Sequence, residues 1–447
     1  MAFLLRLTGE VVHPHLVGDT SSLIAGAGHI LPCWQAGKWG HCGEASQFSL
    51  LFYFPAFPLK LLGFTDRMIE HALGYLSYFA FFATLIRLWR FFRGRSPRVA
   101  AWAALSMATG TLLSYAFYNF SEMTAAWVLL LLGVMLVQGA KTGWVFALMF
   151  LAATTKETSA PFLILLTAAA ALARWRPESV AALRAGWARD HVRLIAAGAG
   201  LGLGVVANLL FNFFRYGTYR NTVYLNLKMP PVDAIFSTMT GSWFSPSGGH
   251  FWFWPVFFVT FVGLLGVGLG RRSPPWRRGF SALILLAHVG LTLGFSLWWS
   301  PWGWMAWGHR LYLPWIPVTI FLLLYAFEAE VEAGLAALAR RTMAFWSATG
   351  ALVLVSLPQF LVIFNQWLNH RQFELDTVCQ HGQHPYVDER AFWNCWGHRL
   401  WSPDFWILTA DYGFIFRHPA IGIMTALYLY LIWRLLLRLK NTDPQSV

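Results

Sequence analysis

Apolar stretches close to twenty residues long recur from residue 70 to the C-terminus, and short basic segments fall at every second gap between them. About 20 apolar residues cross a bilayer as a helix. The stretches are 70–90, 99–117, 122–139, 143–154, 159–174, 192–211, 251–270, 279–299, 311–327, 343–364 and 418–437. The chain therefore reads as an all-α polytopic integral membrane protein, a bundle of about 11 transmembrane helices. Composition agrees: 57% of residues are hydrophobic, 12% are charged and mean hydropathy is +0.51. A soluble domain is about a quarter charged. The 25 Trp suit many membrane–water boundaries.

A net charge of +13 invites a nucleic-acid reading, and its location argues against one. Of 33 Lys and Arg, 20 lie in six segments: 87–98, 141, 174–193, 271–278, 340–341 and 434–440. Basic residues concentrate in cytoplasmic loops. The charge is thus topological, and no nucleic-acid partner is expected. Alternation puts 118–121, 155–158, 212–250, 300–310 and 365–417 outside, with the C-terminus inside. Residues 1–69 then form an external loop with amphipathic or membrane-surface helices, and 70–364 form the bundle. Residues 365–417 form a small external domain, and 418–447 a last helix with its tail. An external N-terminus requires either a further apolar helix encoded before Met1 or a crossing at 46–64. Pro55, Pro58 and Lys60 make that stretch resemble a helix lying at the interface.

Four cysteines stand in two close pairs, Cys33 with Cys42 and Cys379 with Cys395, all in proposed external segments. That placement fits disulfides in an oxidising compartment; four unpaired thiols are the other reading. Neither pair has the short C-x-x-C spacing of a metal site.

The outer gaps hold the charges that need a reason, because a charge near the membrane interior is expensive. Asp19 precedes an apolar helix and either caps it or does chemistry. Glu122 opens a span, where the helix dipole favours an acid. Lys156 sits beside Glu157 and either pairs with it or faces a ligand. Arg215 and Arg220 lie in the long outer loop, within reach of lipid headgroups. His309 and Arg310 follow a stretch rich in Trp, and Arg310 begins an apolar span, where snorkelling is the plain alternative. Together they offer carboxylates able to act as general bases, arginines shaped for phosphate oxygens, and aromatic walls. An enzyme using a phosphorylated lipid and a hydroxyl acceptor needs that set.

These elements resemble the GT-C polytopic membrane glycosyltransferases, which include protein O-mannosyltransferases and lipid A aminoarabinose transferases. The likeness rests on Gly18-Asp19, followed by the helix-like runs at 21–34 and 50–64. It continues with Ser121-Glu122-Met123 and Thr155-Lys156-Glu157. The Phe-Ser-Pro-x-Gly-Gly element at 244–249 and Trp307-Gly308-His309-Arg310-Leu311-Tyr312-Leu313-Pro314 complete it. Many members carry Asp-Glu where this chain has Asp19-Thr20, and the family usually has a span before that loop.

The resemblance implies an inverting transfer of sugar from a polyprenyl-phosphate donor to a hydroxyl acceptor at the outer face of a bacterial inner membrane. Asp19 is the expected base, with Arg310 and Lys156 at the phosphate. Glu122 is expected at the sugar or acceptor, and His309, Arg215 and Arg220 among the substrate contacts. No cofactor is implied, and no metal, since no acidic ligand cluster is evident. The rival classes are a transporter or flippase of lipid-linked glycans, which calls for inverted repeats and paired broken helices, and a non-catalytic scaffold. Neither repeats nor paired breaks are visible in the sequence.

Overall fold

The computed structural model describes residues 19–38, 40, 42, 50–110, 112–113, 120–156, 159–219, 230–297, 310–364, 395, 397–398, 401–402, 413 and 419–441, with backbone alone at 19–22 and 31. It is 86% helical, with no strand among the described residues.

The helices are α1 (Asp19–Gln35), α2 (Leu50–Leu61), α3 (Asp66–Arg93), α4 (Pro97–Ala108), α5 (Phe120–Gln138), α6 (Thr142–Ala153), α7 (Ala160–Trp175) and α8 (Val180–Tyr216). They continue as α9 (Val232–Phe244), α10 (His250–Phe253), α11 (Pro255–Leu269), α12 (Pro275–Ser296), a 3-10 turn η1 (Arg310–Trp315) and α13 (Ile316–Ala326). After these come α14 (Glu328–Arg340), α15 (Thr342–Leu361), η2 (Val362–Phe364) and α16 (Pro419–Asn441). Several starts are written locally. Thr65, Ser96 and Ser179 each accept a hydrogen bond from the backbone N–H three residues on, at 3.3, 3.1 and 3.1 Å. Pro97, Pro255 and Pro275 occupy first-turn positions, where their missing N–H is no loss.

Among the described residues, six helices are long and apolar enough to cross a membrane: α3, α5, α8, α12, α15 with η2, and α16. The run from Arg310 through α13 and α14 makes a seventh if its 88° bend is counted within one span. The expected spans 143–154, 159–174 and 251–270 appear as α6, α7 and α11, of 12, 16 and 15 residues. At 1.5 Å per residue these reach roughly 18–24 Å, short of the ~30 Å hydrocarbon core. Helix α2, also 12 residues, falls short by the same measure. Conversely, α8 extends well beyond the expected 192–211, because its first turns continue through the charged Arg184–Arg193 stretch.

Side-chain contacts sort the helix ends onto two faces. Arg87 bonds Gln138 at 2.9 Å, Arg174 the Val137 carbonyl at 2.7 Å, Arg193 the Ala140 carbonyl at 2.9 Å and Arg98 the Leu439 carbonyl at 3.1 Å. Arg277 pairs with Glu330, and Arg98 with Glu332 at 2.5 Å. These bonds gather five of the six basic segments, counting Lys141 through its neighbour Ala140, onto one basic face. Helix α5 runs from Glu122 to that face, which puts Glu122 at the other end of the bundle, about 24 Å away by helical rise. Helix α13 lies at the centre, with every residue from Ile316 to Leu324 buried.

Helices α6 and α8 pack closely along their length. A Cβ at Gly200 would sit 2.5 Å from the Phe146 carbonyl oxygen, and one at Gly204 2.6 Å from the Ala153 Cβ. Gly200-x-x-x-Gly204 is thus the small-residue seam that lets membrane helices approach closely. Gly198 and Gly202 of the same helix have nothing within 4 Å. Gly200→Ala and Gly204→Ala should therefore each destabilise the protein by about 1–3 kcal/mol, the usual cost of overpacking. Gly198→Ala and Gly202→Ala should be neutral or slightly stabilising. Thermal unfolding of the four variants in detergent checks this.

Candidate functional site

The site is built where irregular backbone meets the start of α5. Tyr312 of η1 is fully buried. Its hydroxyl donates to the His288 carbonyl at 2.6 Å and lies 2.8 Å from the Thr292 hydroxyl. One turn along α12, the His288 ring nitrogen Nε2 meets Thr319 Oγ1 of α13 at 2.9 Å. These bonds tie η1 to α12 and α12 to α13. Two residues before Tyr312, Arg310 is thereby presented to α5.

There Arg310 Nε lies 3.8 Å from Glu122 Oε1, with side-chain exposures of 9% and 10%. The Ser121 hydroxyl donates to Glu122 Oε2 at 2.6 Å. Glu122 also stands in the first turn of α5, where the dipole of the helix favours negative charge. The carboxylate is thus addressed by a cation, a hydroxyl and a helix end. Glu122 and Arg310, expected at the sugar or acceptor and at the phosphate, stand here as one buried ion pair.

The Phe244–Gly249 element arrives at the same place. The Ser245 hydroxyl accepts from the Ser247 N–H at 3.1 Å, and the Gly249 N–H donates to the Ser245 carbonyl at 2.7 Å. A Cβ on Gly249 would fall 2.6 Å from the Ser245 nitrogen, so only glycine closes this turn. The turn delivers His250, fully buried, with its ring 4.3 Å from that of Tyr312 and 4.9 Å from that of Trp243. Two motifs that are separate in the sequence therefore touch through His250 and Tyr312.

Arg215 stands near the end of α8 and is 1% exposed. It donates to Asn212 Oδ1 at 2.5 Å, and its guanidinium lies 4.3 Å from the Phe211 ring centroid and 4.9 Å from that of Tyr216. It is a packed interior cation rather than one among headgroups. The Cys33–Cys42 disulfide closes a short loop against this helix end. Gly40 donates to the Phe214 carbonyl at 2.9 Å, and Trp34 packs 5.9 Å from the Phe214 ring. Gly217 caps α8 with a φ of 67° in the left-handed region, directly against Gly40.

Lys156 is exposed just after α6, where the Thr155 hydroxyl donates to the Ala152 carbonyl at 2.6 Å. Asp19 is the first residue of α1, the position a capping or first-turn acid takes; its side chain lies outside the described residues, as do Arg220, His309 and Cys379. Cys395 is disulfide-bonded. The His250–Tyr312–His288 cluster was not among the expected site residues. Its signal is the polar stripe His288, Thr292 and Ser296, spaced by one helical turn inside an apolar span.

No family model matches the chain, and neither does any curated protein. Two solved structures of ArnT from Cupriavidus metallidurans are similar to it. One, bound to undecaprenyl phosphate, has 13% identity and a TM-score of 0.47 over 98% of this chain and 76% of that one. The other, in the apo state, has 15% identity and a TM-score of 0.44 over 98% and 75%. At these values the likeness assigns no chemistry to this chain.

The Glu122–Arg310 pair generates a direct test. Removing either partner leaves a buried charge without its counterpart, which is more costly than removing both. Glu122→Gln and Arg310→Gln should each destabilise the protein, and the double variant should lose less than their sum by about 0.5–3 kcal/mol. Chemical denaturation in detergent measures the coupling. Additive losses would mean that the two side chains do not interact.

Proposed function

We propose that the chain is an inverting membrane glycosyltransferase that moves a sugar from a polyprenyl-phosphate donor to a hydroxyl acceptor on a glycan, lipid or protein. The reaction takes place at the outer face of a bacterial inner membrane. The observation that carries this reading is convergence. The Ser121-Glu122, Phe244–Gly249 and Arg310–Pro314 motifs of the GT-C resemblance meet at the non-basic end of the bundle, around a buried carboxylate–guanidinium pair.

In this reading Asp19 takes the proton of the acceptor hydroxyl. The acceptor oxygen bonds to the anomeric carbon from the side opposite the phosphate, and the bond from that carbon to the phosphate oxygen breaks. The electron pair leaves with the polyprenyl phosphate. Arg310 and Lys156 stabilise that anion, the electrostatic contribution that usually dominates catalysis. Glu122 holds Arg310 in place until the donor phosphate competes for it, and so acts as a positioning residue as well as a substrate contact. Arg215, buried near the end of α8, is a further substrate contact, with Arg220 and His309.

Purified protein should release polyprenyl phosphate from a polyprenyl-phosphate sugar when given an acceptor. Asp19→Asn caps a helix about as well as Asp, yet cannot accept a proton. Turnover should fall roughly 10²–10⁴-fold with donor binding retained. Arg310→Lys keeps the charge but loses the planar fork, so it should raise the KM for the donor. Donor movement across liposomes without sugar transfer would instead support a flippase. Near-normal transfer by folded Asp19→Asn would remove Asp19 as the base and make Glu122 the carboxylate to test.

A further inference from the structure

The arginines of the basic face divide into two kinds. Arg98 has Glu332, Arg277 has Glu330, and Arg174 and Arg193 share Asp190. Around the break between α13 and α14 the balance differs. Arg87, Arg90 and Arg95 line a cleft of about 370 Å³ together with Phe91, Val137, Gln138 and Tyr325. Arg176 reaches the same place, donating to the Tyr325 carbonyl at 3.1 Å and lying 5.3 Å over its ring. Glu328, 3.0 Å from Arg95, is the carboxylate that faces this group. Among the described residues, four guanidinium groups thus meet Glu328, with Glu332 beyond it already paired to Arg98.

The arrangement follows from local rules. Arg87, Arg90 and Phe91 are spaced i, i+3 and i+4 on α3 and so share one helix face. Gln138 Oε1 accepts from Arg87 at 2.9 Å and fixes its direction. Arg95 lies over both Phe91 and Tyr325, at 5.6 and 5.3 Å. Arg90 is exposed and has no carboxylate partner among the described residues. The helix-end carbonyls that could offset this charge are engaged, Val137 by Arg174 and Tyr325 by Arg176.

Like charges held this close repel one another and call for an anion. Guanidinium forks match phosphate oxygens in a two-point grip, and basic pockets between membrane helices take acidic headgroups. A cleft of about 370 Å³ lies at the lower end of the usual range for small-ligand sites. We propose that this cleft binds a phosphate group, either the phosphodiester of an anionic membrane lipid or a free phosphate compound, through Arg87, Arg90 and Arg95 beside the apolar flank of Phe91 and Tyr325. The cleft lies at the opposite end of the bundle from Glu122 and Arg310, so it is separate from the proposed transfer site.

The test uses the full-length protein in detergent, with bound lipid counted by native mass spectrometry. Short-chain phosphatidylglycerol is compared with phosphatidylcholine, and inorganic pyrophosphate serves as competitor. Phosphatidylglycerol should be retained preferentially. Arg87→Gln and Arg90→Gln should each weaken that retention about fivefold, the equivalent of about 1 kcal/mol per basic side chain at an anionic surface. Exposed Arg184 of α8 supplies the control, and Arg184→Gln should change nothing. Displacement by millimolar pyrophosphate would support a free phosphate compound as the ligand, and resistance to it would support the lipid. Equal retention of the two lipids, with no pyrophosphate binding, would overturn the proposal. So would a loss in Arg184→Gln as large as in the cleft variants. Should Arg87→Gln fail to fold for want of its Gln138 bond, the exposed Arg90→Gln still decides.

Discussion

The hydrogen bond from the Tyr312 hydroxyl to the His288 carbonyl is the contact on which the end of the bundle opposite the basic face turns. A backbone within a membrane protein must find all its hydrogen-bond partners inside the protein, so irregular segments survive only where neighbours supply them. Residues 310–315 form such a segment, a 3-10 turn followed by Pro317 in the first turn of α13. Tyr312 anchors that turn to α12, His288 links α12 to Thr319 of α13, and His250 packs on the Tyr312 ring from α10. Three helices and a turn are thus locked around one phenol. Arg310 can then be held at a fixed place without being part of a regular helix.

The two ends of the bundle handle charge differently. On the basic face arginines cap helix carbonyls and pair with acids of α14, as in Arg98 with Glu332 and the Leu439 carbonyl. Such contacts complement helix C-termini, whose dipoles favour cations. At the other end Glu122 stands at a helix N-terminus, where the dipole favours an anion, and its partner arrives from a distant segment. The first arrangement is structural bookkeeping repeated along a face. The second is a single buried pair placed beside a tight glycine turn, which is where a functional reading has most weight.

Much of this was legible in the chain. The charges at 122 and 310 stand out because each opens an apolar run, whereas the caps Thr65, Ser96 and Ser179 that start α3, α4 and α8 emerge only in the structure. What could not be read was their juxtaposition, since Glu122 and Arg310 belong to different helices far apart in sequence. The stretches 143–154 and 159–174 match α6 and α7 in length, but apolarity alone does not say whether a helix crosses, for a physical reason. Apolar composition reports which residues avoid water, whether they face lipid or other helices. Helix α7 is apolar because α12 and α5 cover it, and it stops at Arg176 in a left-handed cap. Helix α8 continues through Arg184 and Arg189 because a helix persists in water once capped and packed. As one of two readings, the disulfide at Cys33 and Cys42 followed from the placement of the cysteines in the sequence. Its use, to press Gly40 onto the end of α8 and cover Arg215, did not.

The short helices bear on function. A 12-residue helix ends inside the protein, and its last carbonyls need partners there. For α6 they come from neighbouring segments: Asn208 of α8 donates to the Ala153 carbonyl at 2.8 Å, and the Leu51 N–H of α2 to the Thr154 carbonyl at 3.2 Å. The Leu50 N–H in turn donates to Asn208 Oδ1 at 3.4 Å. One buried asparagine therefore completes the end of α6 and the start of α2 together, and Gly204 lets α8 come close enough for it to do so. The turn that carries Lys156 follows directly. Had α6 been long enough to cross, Lys156 would sit at its far end among headgroups. Because α6 stops early, Lys156 stands exposed in a turn whose backbone the protein fixes, whereas Arg310 is buried on η1. A shortened helix completed by polar neighbours is thus one means by which this bundle can place a cation at the end opposite its basic face.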